Sequence, residues 1–255
     1  MKSFEPDDWP EPTNYHSRDH ASDDIKIRPY RPYENALQPR PNVGNRFSVP
    51  DLSLEHALNA RGFSRIAGID EAGRGPLAGP VAAAAVILPK NFSCPGLDDS
   101  KKLSAAARRK LYDHLTTHQD IIWSVATADH EEIDRINILQ ATHLAMRRAV
   151  DGLSEAPDHC LIDGLPLRHF TYPHDGIVKG DSISLSISAA SIIAKVTRDD
   201  IMHKIDCEFP QFGFAKHQGY GTKGHLEALR IHGPCRHHRR SFQPVAQLAL
   251  PLDGP

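Results

Sequence analysis

Short runs of apolar residues recur along the middle of the chain, and longer amphipathic segments separate them. The runs with the length and composition of buried strands are residues 66–69, 81–88, 121–126, 160–162 and 177–178. Residues 173–176 read Pro-His-Asp-Gly, which predicts a turn between the last two runs. The hydrophobic pattern therefore predicts several short strands, most of them followed by a turn or a helix.

Helical patterns fill the intervals between these strands. Ser104 is a suitable N-cap for a helix through about residue 118, and Asp129 with Glu132 forms a capping box before a helix to about residue 150. Residues 189–202 favour a third helix, which we expect to begin a few residues beyond Asp181. Strands mingled with crossover helices are typical of an α/β domain with a mixed sheet.

The same pattern divides the chain into four segments. Residues 1–50 hold 8 of the 20 prolines, many charges and no sustained periodicity, so they predict a disordered proline-rich tail of open function. Residues 51–205 predict the α/β catalytic domain, which starts with a short capped helix. Residues 206–245 predict a basic, helical C-terminal appendage that binds substrate, and residues 246–255 a flexible tail.

Several of the predicted strands end in acidic residues beside glycine. Asp70 and Glu71 follow the first run, and Asp163 and Asp181 follow two later ones. Because α/β folds place their ligands at strand ends, we expect these four carboxylates to converge. Successive side chains of a strand point to opposite faces, so Asp70 and Glu71 can share a site only if a bulge or the strand's end re-aims one of them.

Four carboxylates in one pocket repel one another by about 4 kcal/mol per close pair at an effective dielectric constant of about 20. Such a group must take up protons or bind cations. Oxygen ligands with no accompanying cysteine or patterned histidine favour Mg²⁺ or Mn²⁺ over zinc. Two such ions about 4 Å apart would activate a water on one side of a phosphodiester and stabilise the leaving oxygen on the other. The sequence therefore predicts a metal-dependent nuclease.

Two other chemistries fit these residues less well. The glycines at 73, 75 and 79 look like a dinucleotide-binding loop, but that motif opens a helix and precedes its acid, whereas here the acids come first. Glycoside hydrolysis needs only two acids in a groove lined by aromatic side chains. The chain has two tryptophans, one of them in the tail, which argues against a sugar groove.

Composition and charge exclude several further classes. The longest apolar run is too short to span a bilayer and the polar N-terminus lacks a signal peptide's apolar core, so we expect a cytoplasmic protein with no membrane partner. We also expect a monomer. Four scattered cysteines without a Cys-x-x-Cys pattern predict neither disulfides nor a zinc knuckle. The net charge is −2, but residues 216–240 hold six Lys or Arg and one acid, which predicts a local phosphate-binding patch.

Eight collinear motifs, which cover about residues 65 to 245, resemble those of bacterial ribonuclease HII. They are DEAGRGPLAGP at 70–80, DSKKLS at 99–104, INILQAT at 136–142, LIDG at 161–164, VKGD at 178–181, AASIIAKVTRD at 189–199, HQGYGT at 217–222 and HRRSFQPV at 238–245. One departure is Leu165, where we would expect an asparagine after Gly164. The four carboxylates all match.

The resemblance implies a ribonuclease H-like fold, with a mixed five-stranded sheet flanked by helices and a small helical C-terminal appendage. It implies endonucleolytic cleavage of the RNA strand of RNA/DNA hybrids. It also implies incision 5′ to single ribonucleotides in duplex DNA, with two divalent ions and with 3′-hydroxyl and 5′-phosphate products. Another two-metal phosphoryl-transfer enzyme and a noncatalytic nucleic-acid binding module of the same fold are the alternatives.

The resemblance also implies roles for individual residues. Asp70, Glu71, Asp163 and Asp181 would be catalytic and hold the metals. The backbone of Gly73, Arg74 and Gly75 would contact the 2′-hydroxyl, and Tyr220 would pack against the neighbouring deoxyribose at the RNA to DNA junction. The candidate phosphate contacts are Lys101, Lys102, Lys195, Lys223, Arg239 and Arg240. Arg198 and His217 could equally be structural.

Overall fold

The computed structural model describes residues 49–97 and 103–248. The predicted disordered tail therefore lies outside the described residues, except for its last two positions, and so do Lys101 and Lys102. Most of the predicted flexible C-terminal tail lies outside them as well. The predicted division between a catalytic domain and an appendage stays a prediction.

A five-stranded mixed sheet forms the centre of the fold, which confirms the predicted fold class. Its strands are β1 (Ile66–Ala72), β2 (Val81–Ile87), β3 (Ile122–Ala128), β4 (His159–Asp163) and β5 (His174–Ile177). They lie in the order β3-β2-β1-β4-β5. The pairs β1–β2 and β2–β3 are antiparallel, whereas β1–β4 and β4–β5 are parallel. β1 is therefore the central strand, with an antiparallel neighbour on one side and a parallel neighbour on the other.

Helices cover the sheet and extend the chain beyond it. They are α1 (Ser53–Ala60), α2 (Ala105–Thr117), α3 (His130–Asp151), α4 (Leu185–Glu208), α5 (Phe214–His217), α6 (Lys223–His232) and α7 (Val245–Leu248). The two predicted N-termini are confirmed: the Ser104 hydroxyl accepts a hydrogen bond from the amide of Ala107, and Asp129 and Glu132 form the capping box of α3. No helix in the described part of the chain is long and apolar enough to cross a membrane.

Three local expectations differ from the structure. The turn predicted at 173–176 is wrong, because His174–Ile177 form edge strand β5; its pairing with β4 outweighs the weak strand propensity of His-Asp-Gly. The last strand ends at Ile177, and Asp181 lies in a 3₁₀ turn over Gly180–Ser182. The predicted continuous helix from 130 to 150 is kinked at Asn137, whose φ is 66° and whose side chain caps the following turn.

Helices cover the two faces of the sheet, and the alanines of β2 leave room for both. The side chains of Ala83 and Ala85 pack with α3, whereas those of Ala84 and Val86 pack with α2 and α4. Helix α4 approaches β1 closely at Gly68, where a Cβ atom would lie 2.1 Å from the carbonyl carbon of Ser186. Glycine at this position lets the first turn of α4 contact the central strand directly.

The chain after α4 packs against the loop that joins β1 and β2. Leu77 of that loop is buried in an apolar cluster with Phe212, Phe214, Leu229 and Val245. The amide of Leu77 donates to the carbonyl oxygen of residue 219. The C-terminal part of the described chain therefore supports the loop that follows the strand carrying Asp70 and Glu71.

Candidate active site

Asp70 and Glu71 lie where the pairing of β1 with β4 has ended. That parallel pairing extends to Ile69, which lies opposite Ile162, whereas β1 continues beside β2 in regular register through Ala72. The expected bulge is therefore absent from this stretch of β1, and the strand does not end at Asp70. Both side chains line one cavity at positions where no strand in the described part of the chain pairs with β1 on its β4 side.

One cavity of about 300 Å³ brings most of the predicted site residues together. The predicted residues that line it are Asp70, Glu71, Gly73, Arg74, Gly75, Asp163, Lys195 and Tyr220. Glu71, Arg74 and Asp163 also line a second cavity of about 380 Å³ on the α3 side. Leu165, the departure noted in the sequence, lines this second cavity and is 74% exposed.

Like charges crowd the first cavity. Burial raises the pKa of the Asp70 carboxyl well above its usual value, and the charges of Glu71 and Asp163 raise it further. A hydrogen bond from Ser191 and the 2.7 Å bond from the amide of Glu71 act in the opposite direction. Glu71 and Asp163 are therefore close enough to Asp70 to disfavour its ionised form.

Asp181 is buried beside this group but does not line the cavity. Its 3₁₀ turn contacts Asp163 directly, because the amide of Gly180 donates to Asp163 Oδ1 at 2.7 Å. Within residues 49–97 and 103–248, no three His, Cys, Asp or Glu side chains form a group that could hold a metal ion as they stand. The donor set nevertheless fits a hard divalent cation, because it consists of carboxylate oxygens whose repulsion a cation would relieve.

Two buried arginines hold the loop that follows β1. Arg198 of α4 donates to the carbonyl oxygens of residues 78, 80 and 218 at 2.8–3.2 Å. Arg239 donates to the carbonyl oxygens of residues 73, 74 and 79 at 2.6–2.9 Å. Gly73 has a φ of +95°, and a Cβ atom there would lie 1.9 Å from Arg198 Nε. Glycine is therefore required both by the turn and by the packing of the guanidinium group.

This geometry corrects one expectation. Arg239 was predicted to be an exposed phosphate contact, but its side chain is fully buried and its guanidinium group binds backbone carbonyls. Burial lowers the pKa of Arg239, and the neighbouring charge of Arg198 lowers it further. Arg239 therefore fixes the loop from inside. Arg198 has the structural role that the sequence left open.

The remaining predicted contacts occupy different positions. Arg74 is half-exposed and pairs with Glu71 at 3.2 Å. Tyr220 is 48% exposed, and its ring lies in van der Waals range of a Cβ built on Gly75. Lys195 pairs with Asp199 at 2.7 Å at the edge of the cavity. Lys223 and Arg240 are exposed but do not line the cavity.

Sequence reasoning did not assign a role to two polar residues that line the cavity, Arg108 and Ser191. Arg108 lies on α2, and its side chain donates to the carbonyl oxygen of Leu103. Ser191 lies on α4 and hydrogen-bonds to Asp70. The signal for both was their place in or next to matched motifs, since Arg108 follows DSKKLS and Ser191 is the serine of AASIIAK.

Comparison with known proteins agrees with this geometry. The ribonuclease HII family model matches residues 67–245. A ribonuclease HII from Desulfitobacterium hafniense (strain DSM 10664 / DCB-2) is 55% identical over 196 residues, which cover 77% of this chain and 75% of that protein. The structure of ribonuclease H2 from Pyrococcus horikoshii OT3 is similar, with a TM-score of 0.61 and 26% identity over 72% of this chain and 97% of that one. The structure of Bst-RNase HIII in complex with Mn²⁺ shares the fold, with a TM-score of 0.54 and 18% identity over 72% and 68% of the two chains.

Proposed function

Because the chain belongs to the ribonuclease HII family, we propose that it incises duplex DNA 5′ to a single embedded ribonucleotide. Family membership makes it a divalent-metal-dependent ribonuclease H that cleaves the RNA strand of RNA/DNA hybrids endonucleolytically. The proposal extends this activity to the junction of one ribonucleotide with DNA, with 3′-hydroxyl and 5′-phosphate products. The observation that carries it is the shared cavity of three carboxylates, the glycine loop and Tyr220.

The carboxylates of Asp70, Glu71, Asp163 and Asp181 would hold two ions of Mg²⁺ or Mn²⁺. What supports this is the chemistry of the donors: all four are carboxylates, and a divalent cation would relieve the repulsion that, together with burial, raises the pKa of Asp70. Bound ions would activate the attacking water and stabilise the leaving 3′ oxygen. Asp163 and Asp181 would move together, because the Gly180 amide links the 3₁₀ turn to the Asp163 carboxylate.

Recognition of the ribose would come from the loop rather than from the carboxylates. Arg239 binds the carbonyl oxygens of Gly73 and Arg74, so this part of the backbone is held in one orientation where it borders the cavity. A rigid main chain with no side chain at Gly73 and Gly75 can approach a 2′-hydroxyl closely. The ring of Tyr220 beside Gly75 would then contact the next sugar, where a deoxyribose lacks that hydroxyl.

Basic side chains around the cavity would contact the phosphates on either side. Lys195 lines the cavity, and Lys223 and Arg240 are exposed on the basic C-terminal part of the chain. Lys101 and Lys102 remain candidates that lie outside the described residues. These contacts would position the duplex without reading its sequence.

The experiment is a nicking assay on three matched duplexes: one with a single ribonucleotide, one with a long RNA/DNA hybrid and one of DNA alone. Each is tested with Mg²⁺ and with Mn²⁺. Asp70→Asn, Asp163→Asn and Asp181→Asn are each expected to lower nicking by at least about 1,000-fold while duplex binding persists. Asp113→Asn on the exposed face of α2 is the matched control and should nick normally.

Two results would contradict this function. Normal nicking by Asp70→Asn or Asp163→Asn would remove the carboxylates from the chemistry. Cleavage of the all-DNA duplex at the rate of the ribonucleotide duplex would favour a different two-metal phosphoryl-transfer enzyme of the same fold, because the 2′-hydroxyl would then have no role.

A further inference from the structure

A cluster of buried histidines lies next to the backbone of Tyr220. His225 of α6 and His238 in the segment before α7 are 0% and 1% exposed. Their rings pack among Phe212 and Phe214, with centroid distances of 4.9–6.3 Å. The ring of His217 stacks on that of His225 at 4.7 Å and 16°. The activity described above assigns no role to His225 or His238.

The two buried rings form a chain of hydrogen bonds between two backbone groups. The amide of Cys235 donates to His238 Nδ1 at 3.0 Å. His238 Nε2 and His225 Nε2 are 3.0 Å apart, and His225 Nδ1 lies 2.9 Å from the carbonyl oxygen of Tyr220. Every polar ring atom of the pair therefore has a partner in the described structure.

The two ends of this chain determine where the protons are. Because the Cys235 amide is a donor, His238 Nδ1 must be an acceptor, and a neutral His238 then carries its proton on Nε2. That proton is donated to His225 Nε2, so a neutral His225 carries its own proton on Nδ1. The Nδ1 proton is donated to the carbonyl oxygen of Tyr220, which can only accept. Burial lowers the pKa of both imidazoles, which favours the neutral rings that this arrangement needs.

The carbonyl oxygen of Tyr220 belongs to a backbone segment that packs against the loop after β1. It also accepts a hydrogen bond from the amide of Thr222, and the amide of Tyr220 donates to the carbonyl oxygen of His217. One residue earlier, the carbonyl oxygen of Gly219 accepts from Leu77 in the loop after β1. The peptide group that follows Tyr220 is therefore held by hydrogen bonds directly beside the residue whose ring lies next to Gly75.

We propose that His225 and His238 are positioning residues: their neutral rings form a one-way chain of hydrogen bonds from the Cys235 amide to the Tyr220 carbonyl and so fix the Tyr220 ring beside the carboxylate cavity. The inference rests on the proposed contact of Tyr220 with the sugar at the RNA to DNA junction. Protonation of His225 would place two N–H groups face to face at the Nε2–Nε2 contact. Protonation of His238 would place its Nδ1–H against the Cys235 amide, so a proton on either ring would break the chain.

The tautomers give a test that does not depend on activity. Long-range ¹H–¹⁵N NMR spectra of the full chain at pH 7.5 distinguish a protonated ring nitrogen from an unprotonated one. We expect His225 to carry its proton on Nδ1 and His238 on Nε2, and we expect His225→Leu to leave the His238 signals neutral. The opposite tautomer at His225, or a charged ring at either position, would overturn the inference.

A matched pair of substitutions tests the link to catalysis. Asparagine at 225 keeps a donor for the Tyr220 carbonyl, whereas leucine of similar size does not. We expect His225→Leu to lower kcat on the single-ribonucleotide duplex about tenfold with KM nearly unchanged, and to affect cleavage of the long hybrid much less. His225→Asn should retain kcat within about threefold of the wild-type value. Equal losses in the two variants would overturn the inference.

A double-mutant cycle with Tyr220→Ala separates this inference from the proposed function. If His225 acts through Tyr220, His225→Leu should change nicking less than about twofold in the Tyr220→Ala background. Fully additive losses would mean that His225 acts elsewhere and would overturn the inference. A wild-type protein that cuts long hybrids but never nicks at a single ribonucleotide would instead refute the proposed function. The NMR measurement of the tautomers would still test the hydrogen-bond chain through His225 and His238.

Discussion

Replacing Gly68 with alanine would place a methyl group inside the contact between β1 and α4. The new Cβ atom would lie 2.1 Å from the carbonyl carbon of Ser186, 2.3 Å from the amide nitrogen of Ile187 and 2.5 Å from the carbonyl oxygen of Ser186. These neighbours are backbone atoms, so no side chain can rotate away. Ordinary contact begins near 3.4 Å, and the first turn of α4 must therefore move by about 1.3 Å or β1 must move instead.

The size of the effect follows from this overlap. Enlarging a packed side chain lowers the free energy of unfolding by about 1–3 kcal/mol, and a clash between a strand and the backbone of a helix belongs at the upper end. For a domain of about 200 residues, 3 kcal/mol lowers Tm by about 6–12 °C. Nicking should fall about 10- to 100-fold, because Ser191 on α4 hydrogen-bonds to Asp70 and a shift of about 1 Å misplaces that carboxylate.

The assay is thermal unfolding of the wild-type protein and the variant, together with nicking of the single-ribonucleotide duplex well below both Tm values. Gly224→Ala in α6 is the matched control, since a Cβ there meets no atom within 4 Å. As an exposed helical position, it should gain about 0.5 kcal/mol from the same substitution. If Gly68→Ala unfolded within 2 °C of the wild-type protein, the close packing of α4 on β1 would not limit this site.

Three further predictions follow from the site and its supports. Asp70→Asn should raise the Tm in metal-free buffer and increase the free energy of unfolding by about 1–4 kcal/mol, because it removes a buried carboxylate beside Glu71 and Asp163. Mg²⁺ should stabilise this variant less than the wild-type protein. An unchanged Tm would mean that the three carboxylates do not repel one another. Arg239→Met should cost at least about 3 kcal/mol in urea unfolding, because three carbonyl oxygens, one buried and two partly buried, lose their donor. Burial lowers the pKa of His238 to about 4, below that of a histidine in the unfolded chain. As the pH falls, the unfolded chain therefore binds the proton first, and the free energy of unfolding decreases by about 3 kcal/mol between pH values of about 6.5 and about 4. In urea unfolding at pH 4.5 and 7, His238→Gln should flatten this dependence.

The sequence was sufficient wherever the signal was local. The strand before Asp70, the Ser104 cap and the Asp129 capping box were predicted within a few residues, because hydrophobic runs and cap chemistry act over one or two turns. Strand β5 was predicted as a turn, because its residues have little strand propensity and form a strand only through pairing with β4.

The site residues were likewise predicted where the signal was local and missed where it depended on tertiary packing. Motifs identified the carboxylates and the glycine loop, but no periodicity distinguishes a buried arginine from an exposed one, and Arg239 was therefore predicted to contact phosphate. Its burial depends on carbonyl oxygens about 160 residues earlier in the chain. Arg108 and Ser191 lie in or next to matched motifs, but their role was missed because the packing of α2 and α4 brings them to the cavity.

The two buried arginines connect the C-terminal part of the chain to the loop that borders the carboxylates, so the two regions depend on each other. A buried guanidinium group is stable only when hydrogen-bond acceptors surround it, and here those acceptors are carbonyl oxygens of the loop after β1 and of residue 218. In turn, Arg198 and Arg239 supply the donors for these carbonyl oxygens of the loop. Arg198 comes from α4, and Arg239 comes from the segment beyond α6 that also contains His238. The loop proposed to recognise ribose and the tyrosine proposed to recognise deoxyribose are therefore held by one connected set of hydrogen bonds, so a change on either side should alter both.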